Sequence, residues 1–187
     1  MEVYMFIEKL KELKKDRKIA SFYTNENNTS KFIVGSVVDF NDDYFIISMI
    51  SPQGLNDGLV LKETSSIIRI NTDSMYENKI LALANYHKIK YCDIILNGNN
   101  LIFELLSLAK MKNYIITIEL LNSGFNDVQG YVGSIENDSC NIKQITEYGD
   151  LDGIDLIKIS DITEISCNSD DDRIIEILYS IKSTKSN

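Results

Sequence analysis

Apolar residues recur every three or four positions near the start of the chain, in the segment MEVYMFIEKLKELKKDRK. This period predicts an amphipathic helix over residues 4–17, with one apolar face and one basic face. Short runs of β-forming residues, separated by polar turn clusters, then predict a series of strands. The strands fall at 19–23, 32–40, 44–50, 59–62 and 67–70, and a closing helix follows at 74–89.

The second half of the chain repeats this order of helix, five strands and helix. Its predicted closing helix opens with three consecutive aspartates, Asp170 to Asp172, which are expected to form a solvated helix start, because negative charge is favourable at a helix N-terminus. The predicted helices are 100–111 and 171–181, and the predicted strands are 114–121, 129–136, 139–146, 154–158 and 162–166.

Three blocks of sequence support an internal duplication. GLNDGLVL (54–61) matches GDLDGIDL (149–156) at an offset of 95, and FIEKLKEL (6–13) matches LIFELLSL (101–108) at the same offset. VGSV (34–37) matches VGSI (132–135) at an offset of 98, which predicts a shorter connection between motifs in the second copy. The chain is therefore predicted to consist of two units, 1–91 and 92–187.

Each second strand contains a glycine, and such a glycine often marks a sharp bend in a curled sheet. The order of helix, then five strands with a bent second strand, resembles the Sm/LSm family. The resemblance implies an α+β, mainly β fold: two tandem Sm-like units, each an N-terminal helix plus a strongly bent five-stranded antiparallel sheet or barrel, followed by a helix. The residues that carry the resemblance are Phe32, Gly35, Val37, Phe40, Tyr44 to Ile47, Gly58 to Leu61, Ile67 and Ile70 in the first unit, and Gly130, Gly133, Ile135, Gly153 to Leu156, Ile162 and Ile165 in the second.

The family's RNA-binding pattern is incomplete in this chain. RNA-binding Sm proteins carry an Asp/Asn pair after the second strand and an Arg-Gly pair after the fourth. Asn41 to Asp43 resembles part of the first pair, but the loops after the fourth strands, Lys62 to Ser66 and Lys158 to Asp161, lack Arg-Gly. The resemblance therefore implies the fold and not the uridine pocket, and a fold alone does not fix a function.

Net charge further disfavours a nucleic-acid binder. Residues 1–91 carry 12 basic and 12 acidic residues, whereas residues 92–187 carry 7 and 16, which gives the net charge of −9. Phosphate contacts normally require a basic face. The one basic surface predicted is on the first helix, formed by Lys9, Lys11, Lys14 and Lys15, which is either a contact for RNA or an acidic partner, or a solvated face.

Composition and order of segments predict a cytoplasmic protein. No apolar run approaches the roughly 20 residues that span a bilayer, and the N-terminal charges follow the apolar residues, the reverse of a signal peptide. The cysteines Cys92, Cys140 and Cys167 are odd in number and widely spaced, so we expect reduced thiols and no thiol-based zinc site.

No motif predicts catalysis, a cofactor or a metal site. His87 is the only histidine and is expected on the surface, and Asp150, Asp152 and Asp155 lack the order of a calcium loop. A Gly-x-x-Asp-Gly motif occurs twice and is either a binding loop presented twice or a tight turn. Its residues are Gly54, Asp57 and Gly58 in the first unit, and Gly149, Asp152 and Gly153 in the second.

These observations favour a non-enzymatic interaction module that binds a protein partner or associates with itself. Curved sheets of this kind leave open strand edges, which must be covered. The alternative is an RNA-binding regulator that uses the basic first helix and the first unit. A third and weaker alternative is a hydrolase with an acidic site, although nothing in the spacing of the acidic residues selects a catalytic pair.

Overall fold

A computed structural model describes residues 2–90, 94, 96 and 98–185 of the chain. The chain divides into two compact units, Met1–Leu101 and Ile102–Asn187. The boundary expected between residues 91 and 92 lies outside the described residues. The architecture is α+β and mainly β, with antiparallel strands, and no helix among the described residues is long and apolar enough to cross a membrane.

The first unit begins with a helix, continues through five strands and ends with a helix. A short 3-10 turn at Thr64–Ser66 separates its last two strands. The elements are α1 (Glu2–Asp16), β1 (Ile19–Tyr23), β2 (Ile33–Phe40), β3 (Tyr44–Ile50), β4 (Asn56–Glu63), β5 (Arg69–Asn71) and α2 (Met75–Tyr86).

The five strands of this unit form an antiparallel sheet in the order β5-β1-β2-β3-β4. Helix α1 packs on one face, where Leu10 and Leu13 join Phe22 and Phe45 in a cluster without solvent exposure. Helix α2 packs on the other face, where Ile80 contacts the cluster that includes Ile19 and Val34. Alternate residues of β1 therefore face different helices, as the two-residue period of a strand requires.

The second unit has the same order of elements. A 3-10 turn at Ile159–Asp161 again precedes its last strand. The elements are α3 (Leu101–Lys112), β6 (Ile115–Leu120), β7 (Val128–Ile135), β8 (Ser139–Ile145), β9 (Leu151–Lys158), β10 (Ile162–Cys167) and α4 (Asp170–Lys185).

The sheet of the second unit has the equivalent order, β10-β6-β7-β8-β9, and is antiparallel throughout. Ile115 of β6, Ile145 of β8 and Ile175 of α4 form one buried cluster, against which Tyr131 and Tyr179 pack. Both sheets are open in the described pairings, since the fourth and fifth strands of each unit lie at opposite ends of the order.

The structure corrects the alignment of the two units. From β2 to α2, each element of the first unit recurs in the second unit 95 residues later. The end of the first helix and the start of the first strand recur 96 residues later. The second unit is thus one residue shorter, in the connection between its first two strands. Gly130, and not Gly133, is the counterpart of Gly35, because Gly35 pairs with Met49 and Gly130 pairs with Gln144. The expected offset of 98 arose from a chance match of VGS.

The strand predictions are otherwise close, with one consistent error. The fourth strand of each unit begins three residues earlier than its pattern indicated, at Asn56 and Leu151. The sequence pattern places the Asp-Gly pair before the strand. It lies inside the strand, where a register shift follows residue 48 in one unit and residue 143 in the other. The extra backbone of such a bulge accommodates glycine within a ladder.

Candidate interaction surface

Strand β9 is the exposed edge of the second unit's sheet. Among the described strands it pairs with β8 alone, through a register that runs from Ser139↔Lys158 to Ile145↔Leu151. A strand of eight residues therefore has one row of backbone N–H and C=O groups without a described strand partner. Such an edge is a template for addition of another strand.

Apolar side chains accompany this open edge. Leu151, Ile154 and Leu156 are 56%, 67% and 74% exposed. At the counterparts of the last two, in β4, Leu59 and Leu61 are buried. Burial of one such side chain stabilises a contact by about 1.5–3 kcal/mol, so a partner that covered all three would gain substantial free energy.

Polar groups on the same strand limit where a partner could bind. Asp155 occupies the position of the buried Val60, and Gln144 donates a hydrogen bond to its carboxylate. Asp152 is also exposed and lies beside the bulge at Gly153, where the regular alternation of the strand is interrupted. The surface of β9 thus combines apolar side chains with negative charge.

Strand β5 is the corresponding open edge of the first unit. Among the described strands it pairs with β1 alone. A shallow groove of about 700 Å³ lies along α1 and reaches Ile70 of this strand, and Met5 and Phe6 supply more apolar lining. Met5 is 61% exposed, so this groove also presents apolar surface to solvent.

The predicted basic face of α1 lies on this groove but is largely neutralised. Lys9 forms an ion pair with Glu12 at 2.8 Å, and Lys11 lies 3.9 Å from Glu8. Lys15 lines the same groove. In each pair the two residues are three positions apart and exposed to solvent. Such pairs contribute little to the stability of the fold, but they lower the positive potential of this helix face.

Lys14 lies apart from the other three lysines. Its ammonium group is 2.6 Å from Oδ1 of Asp39, a mostly buried carboxylate on β2, and 5.9 Å from the centre of the Phe40 ring. The side chain therefore connects α1 to the sheet. The structure does not bring the four predicted lysines together as one phosphate-binding surface.

The candidate Asn41 to Asp43 segment forms a turn between β2 and β3. Oδ1 of Asn41 accepts hydrogen bonds from the backbone N–H groups of Asp43 and Tyr44, at 3.0 and 2.7 Å. Its Nδ2 donates to the carbonyl oxygen of Gly98 at 3.2 Å. Asn41 is therefore engaged in shaping this loop.

Both Gly-x-x-Asp-Gly segments form the same turn. Gly54 and Gly149 have φ values of +77° and +79°, and each donates its N–H to the carbonyl of the residue three positions earlier. A side chain at Gly54 would meet the backbone carbonyl carbon of Leu83 in α2 at 2.7 Å, and one at Gly149 would meet the backbone nitrogen of Tyr179 in α4 at 2.6 Å. The geometry supports the interpretation as a turn against which the closing helix packs.

Substitution of Gly149 and Gly153 separates the cost of a positive φ from the cost of a steric overlap with the closing helix. We expect Gly149→Ala and Gly153→Ala both to lose about 1 kcal/mol of stability, because each residue has positive φ. Gly149→Ala should lose a further 1–3 kcal/mol or so, because its methyl group would overlap α4, whereas nothing lies within 4 Å of a Cβ at Gly153. Urea unfolding of both full-length variants measures the difference, and equal losses would contradict the packing role.

A buried carboxylate anchors the closing helix of each unit to the first strand. In the first unit, Ser21 of β1 and the N-cap residue Ser74 both donate hydroxyl hydrogen bonds to Glu77, and the Ser74 N–H donates at 2.9 Å. The sequence S-x-x-E is a capping-box signal, so residues 74–77 could have been recognised. The long-range bond to Ser21 could not.

The second unit uses Asp172 at the equivalent position. Thr117 and Gln129 each donate to Oδ1 of Asp172 at 3.1 Å, and the Ser169 N–H and hydroxyl donate to Oδ2 at 2.9 and 2.8 Å. Asp172 was predicted only as part of a solvated helix start, and this expectation was wrong: the side chain is 1% exposed. Asp170 and Asp171 are exposed, as expected.

The two carboxylates differ in their acidity. Burial acts to raise the pKa of Glu77, but the hydrogen bonds from Ser21 and Ser74 outweigh it and lower the pKa below its ordinary value. Burial dominates at Asp172 and raises its pKa, although hydrogen bonds from Ser169, Gln129 and Thr117 oppose the change. Both networks are satisfied, and no buried side-chain polar atom lacks a partner among the described residues.

The remaining candidate residues show no chemistry in the described part of the chain. Cys140 and Cys167 are free and buried, and burial together with the nearby Asp172 raises the pKa of Cys167 to about 12. Cys92 lies outside the described residues. His87 is an exposed residue at the C-cap of α2, and its ring contacts Tyr86. No group of three or more potential metal ligands occurs among the residues searched, which are the described ones.

Comparison with known proteins found no family model, no curated protein and no solved structure that matches this chain.

Proposed function

We propose that this chain is a non-enzymatic interaction module, built from two Sm-like units, which associates with further copies of itself through β9. The observation that carries the proposal is the exposure of Leu151, Ile154 and Leu156 on an edge strand of eight residues. Natural proteins usually blunt such edges or cover them. Acidic residues and a bulge interrupt β9, but its exposed Ile154 and Leu156 on an open edge are best explained by a partner that covers them.

The Sm-like assignment is supported by the order of elements in each unit. Both units run from a helix through five antiparallel strands, with β5 or β10 placed beside the first strand. The second strand of each has a register shift, near residues 37–39 and 132–135. A bulge of this kind increases the bend of a strand, which is the feature that the resemblance implied.

A second copy is the occupant because the chain itself carries a complementary edge. Strand β5 has an open edge, and the adjoining groove offers apolar contacts from Met5, Phe6 and Ile70. The charges around this groove are mixed, since Lys9, Lys11 and Lys15 lie beside Glu8, Glu12 and Asp16, so a contact with an incoming β9 would rest on apolar side chains and backbone hydrogen bonds. A contact between two different surfaces is heterologous, and repetition of it gives rings if it closes and filaments if it does not.

The test is the mass of the full-length protein in solution. We expect a mass above 21.3 kDa by light scattering, and a shift to 21.3 kDa in the double variant Ile154→Lys/Leu156→Lys. Both side chains are exposed, so the fold should be retained. Phe125→Lys is the matched control, because Phe125 is 74% exposed in the same unit but lies outside β9.

Two outcomes would contradict the proposal. A wild-type protein that stays at the monomer mass across the micromolar range does not associate with itself. A double variant that retains the wild-type mass, or a control variant that loses it equally, would place the contact elsewhere.

A further inference from the structure

Helix α4 packs on its sheet with one face and exposes a row of isoleucines on another. Ile175 belongs to the buried cluster of the second unit, and Tyr179 packs against that cluster. Ile174, Ile177 and Ile181 are instead 51%, 58% and 47% exposed. Their spacing of three and four residues places them along one side of the helix, so α4 presents a continuous apolar stripe to solvent.

The first unit shows that the fold does not require this stripe. Helix α2 is the equivalent element, and with the offset of 95 its residues at the three positions are Lys79, Ala82 and Tyr86. All three are exposed as well, so these positions face solvent in both units, and one of them carries a charge in α2. Packing within the second unit therefore does not explain why α4 has an isoleucine at each.

The last turns of α4 lie beside the start of β9. Nζ of Lys182 is 2.6 Å from Oδ2 of Asp150, the residue that precedes β9, and a Cβ at Gly149 would meet the backbone nitrogen of Tyr179. The exposed Leu151 follows Asp150 directly in the chain. The stripe is therefore close to the strand edge through which we propose that copies of the chain associate.

The charges of α4 favour a second α4 as the partner of this stripe. Before Ile177 the helix carries four acidic residues and one arginine, and after it only lysines. Two such helices in antiparallel contact place the acidic end of each beside the basic end of the other, and their dipoles attract. Ile174 then faces Ile181 of the second copy, and Ile177 lies near its own counterpart, so the stripe is complementary to itself.

We infer that antiparallel contacts between α4 helices join two assemblies that β9 has built, so the inference rests on the proposed function. Three half-exposed isoleucines cover far less than the roughly 800 Å² per partner of a stable interface, and the stripe alone does not hold two free chains together. A ring or filament presents many stripes at once, and multivalency strengthens their contact with a second assembly. The contact through β9 is heterologous, and the contact through α4 is isologous.

The mass of the full-length protein tests this pairing. We expect Ile174→Lys/Ile177→Lys to reduce the mass by light scattering about twofold, while it stays above the 21.3 kDa of one chain. Lys79, the counterpart of Ile174, shows that a lysine is compatible with the fold at that position. Ala82→Lys is the matched control and should keep the wild-type mass, because Ala82 is the exposed counterpart of Ile177 in the first unit.

Disulfide formation tests the direction of the two helices. A disulfide requires Cα atoms within about 7 Å of each other. In an antiparallel pair Ile177→Cys should therefore cross-link two copies and Ile174→Cys should not, whereas a parallel pair would cross-link both. The native Cys140 and Cys167 are buried, and each variant also carries Cys92→Ser to remove the third native thiol.

Three results would overturn the inference. If Ile174→Lys/Ile177→Lys keeps the wild-type mass, α4 takes no part in the association, and the contact through β9 is not contradicted. If Ile174→Cys cross-links as readily as Ile177→Cys, the helices are not antiparallel. A wild-type mass of 21.3 kDa would contradict this inference together with the proposed function.

Discussion

Replacement of Gly35 or Gly130 by alanine is expected to be the most damaging single change in either unit. A Cβ atom at Gly35 would overlap the carbonyl oxygen of Ser48 on β3, and one at Gly130 would overlap that of Lys143 on β8. These are backbone atoms within the sheet, so no rotamer change relieves the contact. We expect each variant to lose 3 kcal/mol or more, roughly the upper range for overpacking, or to unfold the unit that carries it.

Gly133→Ala is the matched control for this prediction. Gly133 lies in the same strand, β7, and its nearest neighbour to an added Cβ is the Asn141 carbonyl oxygen at 3.2 Å. Amide hydrogen exchange, followed by peptide, locates the damage in the full-length chain. Greater loss of protection in Gly133→Ala than in Gly130→Ala would contradict the corrected alignment of the two units.

The second large effect concerns the buried carboxylates, whose variants should respond to pH in opposite ways. The lowered pKa of Glu77 contributes stability that is present above the unfolded-state pKa and lost as the pH falls through the folded-state value. The raised pKa of Asp172 makes the folded state bind more protons, so its contribution falls as the pH rises. Glu77→Gln should cost about 2 kcal/mol at neutral pH, because charged hydrogen bonds are lost.

Urea unfolding at about pH 3 and about pH 7 measures both trends. The loss caused by Glu77→Gln should be larger at the higher pH, and the loss caused by Asp172→Asn should be larger at the lower pH. The two residues occupy equivalent positions, so each variant is the control for the other. Identical pH trends would show that the hydrogen bonds at Glu77 do not outweigh its burial.

The sequence predicted the elements well because their signals are local. The strands Ile19–Tyr23 and Tyr44–Ile50 have the predicted bounds, since polar clusters delimit them on both sides. Register was harder to predict, because a short match such as VGS carries less information than the pairing of a whole strand. The counterpart of Gly35 was identified only when the partners of Gly130 on β8 were known.

The candidate surfaces were largely beyond sequence reasoning. Leu61 and Leu156 occupy equivalent positions in similar segments, yet one is buried and the other is 74% exposed. Composition cannot distinguish them, because exposure depends on what lies beside the strand. The ring contacts of Tyr23, Phe32 and Tyr76 have the same difficulty: the pairing of β1 with β2 brings Tyr23 beside Phe32, and only the packing of α2 on the sheet adds Tyr76.

Because equivalent elements of the two units are separated by a near-constant number of residues, each unit supplies natural substitutions for the other. Each strand and helix from β2 to α2 has a counterpart 95 residues later in the chain, so segments within this range can be exchanged between units without a change in loop length. A chimera that carries residues 127–135 in place of 32–40, for example, would remove Phe32 while it retains the glycine of the second strand. The ancestral role of each surface can thus be investigated by recombination within a single gene.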